Sequence, residues 1–95
     1  MSPRLGQFNN MLFFLYSHEE HRRPHVHVRA GEYRVTLDID TGRVLAGSLP
    51  PPMLRQARRW VRWRRQALLD AFAAALRHDD PSQIAAQFKE ATGEG

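Results

Sequence analysis

Residues 25–40 read His-Val-His-Val-Arg-Ala-Gly-Glu-Tyr-Arg-Val-Thr-Leu-Asp-Ile-Asp, and this stretch decides the fold class. Successive side chains on a β-strand point to opposite faces. Over residues 25–30, Val26 and Val28 fall on one face, and His25, His27 and Arg29 on the other. After Gly31 and Glu32, Tyr33, Val35, Leu37 and Ile39 alternate with Arg34, Thr36, Asp38 and Asp40. Two alternating runs joined by a short glycine turn describe antiparallel strands with one apolar and one polar face.

The pattern extends in both directions. Upstream, Met11-Leu-Phe-Phe-Leu-Tyr16 is a continuous apolar run of strand length, which predicts a strand covered on both faces. Residues 17–24 read as a polar loop, and residues 1–9 as a flexible N-terminal arm. Downstream, Asp40-Thr41-Gly42 marks a turn and Arg43–Leu49 a weaker strand. Pro50-Pro51-Pro52 ends the sheet, because proline offers no donor to the ladder. From Pro52 to His78 the chain is rich in Ala, Leu and Arg and contains no glycine and no further proline. One long helix is expected there, with Leu54, Ala57, Val61, Leu68, Leu69, Phe72, Ala75 and Leu76 on its apolar stripe. Asp80 as N-cap, Pro81 in the first turn and Gly93 after the last predict a short C-terminal helix with Ile84 and Phe88 inward.

The expected fold is therefore α+β: an antiparallel β-meander of three to four strands packed on one long α-helix, followed by a short C-terminal helix. The division read from the sequence is an arm over 1–9, a single α+β domain over 10–78, and a helix and tail over 79–95. Two residues break the helical stripe. Arg65 falls near its middle and needs a carboxylate, Asp38 or Asp40, or must extend along its aliphatic stem to water. Trp63 falls on the opposite face, among arginines.

Composition bounds the chemistry. The chain has 95 residues, 42% apolar and 25% charged, which fits one ordinary globular domain and excludes collagen-like or wholly disordered polypeptide. Its longest apolar run is far shorter than the ~20 residues that cross a bilayer. No secretory leader pattern opens the chain, so a cytoplasmic location without membrane association is expected. The absence of cysteine excludes disulfides, zinc ribbons and thiol catalysis. Positive charge is concentrated early: residues 1–65 hold 12 arginines against 5 acidic residues, whereas residues 66–95 hold 2 basic and 5 acidic ones. An acidic partner, protein or nucleic acid, suits such a surface, which solvation alone also explains.

His21-Arg-Arg-Pro-His25-Val-His27 carries the densest chemistry. Residues two apart on a strand project to one side about 6.5–7 Å apart. His25 and His27 can thus share a divalent metal ion such as zinc, nickel or iron, with His21 or Asp38 as a further ligand. Acid–base catalysis is a second use of these histidines. The alternative is structural, with neutral imidazoles tying the loop to the sheet. The run also resembles the histidine-triad nucleotide hydrolases, but Arg29 stands where a third histidine belongs and the run comes too early in the chain.

A second resemblance covers residues 11–76. Phe14-Leu-Tyr16, His21, Pro24-His25-Val-His27-Val28, Thr41-Gly42-Arg-Val-Leu45, Gly47-Ser-Leu-Pro50, Leu54 and Trp60 occur in the order found in a bacterial family known as domain of unknown function 4160. Arg23 departs from its pattern, which has proline there, and Phe72 stands where tryptophan is common. The resemblance implies the toxin-like half of a toxin–antitoxin module, whose partner is a small antitoxin-like protein encoded beside it. It assigns no catalytic residue. The other functions left open are a histidine-cluster metal-dependent enzyme such as an RNA nuclease, and a non-catalytic nucleic-acid-binding module. The expected partner surface is the outer helix face with Arg55, Arg59, Arg62 and Trp63, since interfaces concentrate Trp and Arg at their centres. That face could instead serve a homodimer, bind nucleic acid, or be covered by the C-terminal helix.

Overall fold

A computed structural model describes residues 4–16 and 23–93. Five strands, β1 (Arg4–Phe8), β2 (Met11–Phe14), β3 (His25–Ala30), β4 (Tyr33–Asp38) and β5 (Val44–Ser48), form one antiparallel sheet in sequential order. Three helices follow: α1 (Pro51–Trp63), α2 (Arg65–Leu76) and α3 (Pro81–Thr92). The α+β class and the meander agree with the sequence reading, while the strand number and the single long helix need correction.

The additional strand is β1, in the stretch read as an arm. Asn9 and Asn10 both take positive φ, 49° and 65°, and Phe8 pairs with Met11 across them. A two-residue loop with both φ positive matches the twist of a hairpin, and Asn is among the few residues that adopt it readily. Asn9-Asn10 was thus the available signal, hidden because Arg4–Phe8 has little apolar alternation. Leu5 is nevertheless fully buried.

Met11, Phe13 and Leu15 on and beyond β2, Val26, Val28 and Ala30 on β3, and Val35 and Leu37 on β4, with Ile39 just beyond it, make the covered face of the sheet. The helices supply Ala57, Trp60, Val61, Leu68, Phe72 and Ala75, and α3 adds Ile84 and Phe88 to the same core. The intervening residues of this run, Leu12, Phe14 and Tyr16, are only half-buried. That run is covered on one face, not two.

The helical stretch divides at Arg64, whose φ of −116° and ψ of 20° leave the α region. No Gly or Pro announces this break. Its local chemistry is self-contained: the Arg64 N–H turns to the Val61 carbonyl at 3.1 Å, and the Arg64 guanidinium caps the Trp60 carbonyl at 3.3 Å. The same guanidinium lies over the Trp60 ring, 4.5 Å from its centroid.

Arg65 does pair with Asp40, one of the two carboxylates expected, but both side chains are about half exposed. The buried helical face includes Trp60, Ala71 and Ala74, the last two on the helix that α3 packs against. These residues move its centre about a sixth of a turn from the predicted stripe, at ~100° per residue, and leave Arg65 at the margin. Arg58 donates to the Gly42 carbonyl at 2.8 Å. Both arginines therefore fasten the helices to the turn between β4 and β5.

Asp80 caps α3 by accepting from the Ser82 N–H at 2.9 Å, and Gly93 ends it with a φ of 75°. Among the described residues, no helix is long and apolar enough to cross a membrane.

Candidate functional site

β3 pairs with β2 and β4 so that Phe14, His27 and Thr36 lie side by side, and Leu12, Arg29 and Arg34 form the adjacent row. Thr36 Oγ1 meets His27 Nδ1 at 3.2 Å. The His27 ring touches Tyr16 and Phe14, with centroid separations of 4.5 and 5.6 Å. His27 therefore sits half-buried in an aromatic cluster on the face of the sheet opposite the helical core.

His25 occupies a different environment. It is buried, and its ring lies 5.1 Å from His27 and 5.3 Å from Phe72 on α2. Its Nδ1 meets the Arg23 carbonyl at 2.6 Å. A carbonyl only accepts, so Nδ1 carries the proton and donates. The bond ties the loop end to the sheet, as the structural reading of the histidines expected. The two histidines expected to project to one side have their rings in contact, but His25 is buried where His27 is half-buried. The strand pattern gives them the same parity, and the Arg23 carbonyl and Phe72 of α2 give His25 surroundings of its own.

Asp38 stands opposite His25 in the ladder and is 1% exposed. One oxygen accepts from Arg23 Nε at 2.6 Å, the other from the Thr41 N–H at 3.0 Å. Burial pushes the carboxyl upward, but the Thr41 N–H, the Arg23 guanidinium and the Asp40 N–H outweigh it and hold it below the usual carboxylate value. Arg23 thus supplies the counter-charge of a buried aspartate.

These contacts bear on the metal reading. A histidine whose Nδ1 donates to a carbonyl is held as metal-bound histidines commonly are. Both Asp38 oxygens, however, are engaged, one by Arg23 ahead of β3 and one by Thr41 in the turn after β4. His21 lies outside the described residues, and among those described no group of three or more His, Asp or Glu is placed to hold a metal ion. His25 and His27 alone provide two imidazoles.

The second predicted surface is the outside of α1. Arg55, Arg59, Arg62 and Trp63 are all exposed, and Trp63 is 81% exposed. The C-terminal helix does not cover it: Phe88 packs instead on Trp60, at 5.7 Å between ring centroids. Trp60 also stacks on Phe13 at 3.8 Å and within 13° of parallel. Phe8, Gln56, Arg59, Trp60, Trp63 and Arg64 enclose a shallow groove of about 330 Å³. The sequence reading missed Phe8, because it assigned no structure to the first nine residues.

No curated protein and no solved structure matches the chain. Residues 10–73, about two thirds of its length, match the model of the family described as Domain of unknown function (DUF4160). That span contains the histidine motif, strands β2 to β5, all of α1 and most of α2, and the chain belongs to this family.

Proposed function

We propose that this protein is the toxin-like component of a two-protein module and docks a small acidic partner through the outer face of α1. The observation that carries the reading is Trp63, a large apolar side chain 81% exposed on a helix without a single acidic residue. An indole left in water beside Arg59 and Arg62 contributes little to folding. Seated in a partner, it would be desolvated where Trp and Arg dominate binding energy. The groove between Phe8 and Trp63 gives an apolar partner residue a place to sit, and the arginines attract carboxylates around it. The toxin-like character is what the sequence resemblance implies, and the cellular target is left open.

The test is co-expression with the small protein encoded beside this gene, in growing cells and in vitro. The expected result is growth arrest by the protein alone, rescue by its neighbour, and a complex that Trp63→Ala weakens by ~2 kcal/mol or more. A complex indifferent to Trp63→Ala, with tryptophan fluorescence unchanged on mixing, overturns the docking surface. Self-association through Trp63 at micromolar concentration, seen by sedimentation, assigns the face to a homodimer instead.

A further inference from the structure

The face of the sheet opposite the helical core carries a hollow of about 280 Å³. Phe14, His27, Thr36 and Ala46 lie in one row from β2 to β5 and line it. Arg29 on β3 and Arg34 on β4 belong to the next row and border the same hollow. No described carboxylate lines it.

The two arginines stand directly opposite each other in the ladder, and both are exposed. Like charges so placed repel and weaken a sheet. Neither makes an ion pair with a described residue. Glu32 stands in the turn between the two strands but pairs with neither arginine. Asp38, two pairs further along β4 than Thr36's neighbour row, is buried and engaged by Arg23 and Thr41. The Arg29 guanidinium lies 6.0 Å from the centroid of Phe14, which also lines the hollow. Two opposed cations thus share one concavity with no anion from the chain to offset them.

We propose that Arg29 and Arg34 bind a phosphate group, free or carried on a small molecule whose body lies in the hollow beside Thr36. Phosphate suits this pair better than carboxylate does. Its tetrahedral oxygens can take two guanidinium forks at once, whereas the two oxygens of a carboxylate are filled by one fork. A phosphate monoester carries about 1.5–2 negative charges at neutral pH, so a single group offsets most of both cations. Thr36 adds a hydroxyl, which can donate or accept. The hollow is close in size to the smallest small-molecule sites, which begin at about 300 Å³. None of these residues belongs to the docking face of α1, so the two proposals stand or fall separately.

The test is an NMR titration of the full chain that follows the arginine Nε–Hε signals at constant ionic strength. The probes are inorganic phosphate, ribose 5-phosphate, acetate as a carboxylate, and heparin as a polymeric anion. The expected result is saturable shifts of Arg29 and Arg34 with the phosphates and none with acetate. Tighter binding of ribose 5-phosphate than of inorganic phosphate assigns the hollow to the ligand's body, and equal binding assigns the site to free phosphate. Arg29→Gln and Arg34→Gln should each weaken binding about tenfold or more, as loss of a charge-assisted hydrogen bond implies. Arg34→Lys keeps the charge but not the fork and should weaken binding too. Without ligand, Arg34→Gln should melt no lower than the wild type, because it relieves the opposed charges. Phosphate should raise the melting temperature of the wild type and leave that of Arg34→Gln unchanged. Circular dichroism confirms that each variant is folded. Equal shifts with acetate, shifts that never saturate, full affinity in the folded glutamine variants, or a response of these arginines to heparin alone would overturn the proposal.

Discussion

Trp60 and Trp63 stand three residues apart on α1, yet one is 4% exposed and the other 81%. Trp60 is enclosed on every side the hairpin and helices can reach: Phe13 beneath it, Phe88 beside it, the Arg64 guanidinium over its ring. Even the backbone of β1 is adapted, because a Cβ on Gly6 would come within 2.9 Å of its ring. Trp63 stands between two shallow hollows, one reaching Phe8 of β1 and one reaching Ala91 and Thr92 of α3, and is enclosed by neither. The difference teaches that residue type says little about role here. A rotation of about 60° around the helix turns the same indole from core to surface.

The sharpest way to break this contrast is Trp60→Ala. It should cost about 3–5 kcal/mol of stability, measured by urea denaturation, since it removes a large ring from a packed core. A loss under about 1 kcal/mol would mean that the stack on Phe13 and Phe88 is not what closes the core.

Gly6→Ala probes the same side more gently. The added methyl must displace the ring edge of Trp60, and overpacking of this kind costs about 1–3 kcal/mol. An unchanged melting temperature would show that the hairpin can move aside.

Asp38 supplies a comparison away from α1, between a buried charge and the exposed ones. Its carboxyl is held below its usual value in the folded protein, so folding favours the ionised form. That stabilisation is complete above the unfolded value near pH 4 and is lost as pH falls through the lower folded value. Asp38→Asn should flatten this acid limb of stability while leaving the trend above neutrality alone. A wild-type stability independent of pH below about 4 would contradict the Arg23–Asp38 arrangement.

Trp63→Ala should give the smallest effect on folding, within about 0.5 kcal/mol, because almost none of its surface is removed from water. A large loss of stability would erase the distinction between the two tryptophans and with it the case for a docking surface.

Much of the site was legible at the level of strands. Alternation over residues 25–40 gave the pairing of β3 with β4, and parity placed His27, Arg29, Arg34 and Thr36 on one face. The half-exposure of Phe14 and Tyr16 was not legible, because an unbroken apolar run cannot report which of its faces is covered. The environment of His25 was equally hidden, since Phe72 lies 47 residues away in the chain.

The amino-acid sequence by itself determined the α+β class, the glycine and proline punctuation of the sheet, the capped C-terminal helix and the residue types able to pair with Arg65. These depend on periodicities and backbone preferences that act over a few residues. Only the tertiary structure decided that Arg4–Phe8 is a strand, that the helix divides at Arg64, and that Trp60 belongs to the core. A polar edge strand gains its hydrogen bonds from a neighbour, and an amphipathic helix has no inside until other elements choose one. Those outcomes are set by contacts between distant segments, which no local pattern encodes.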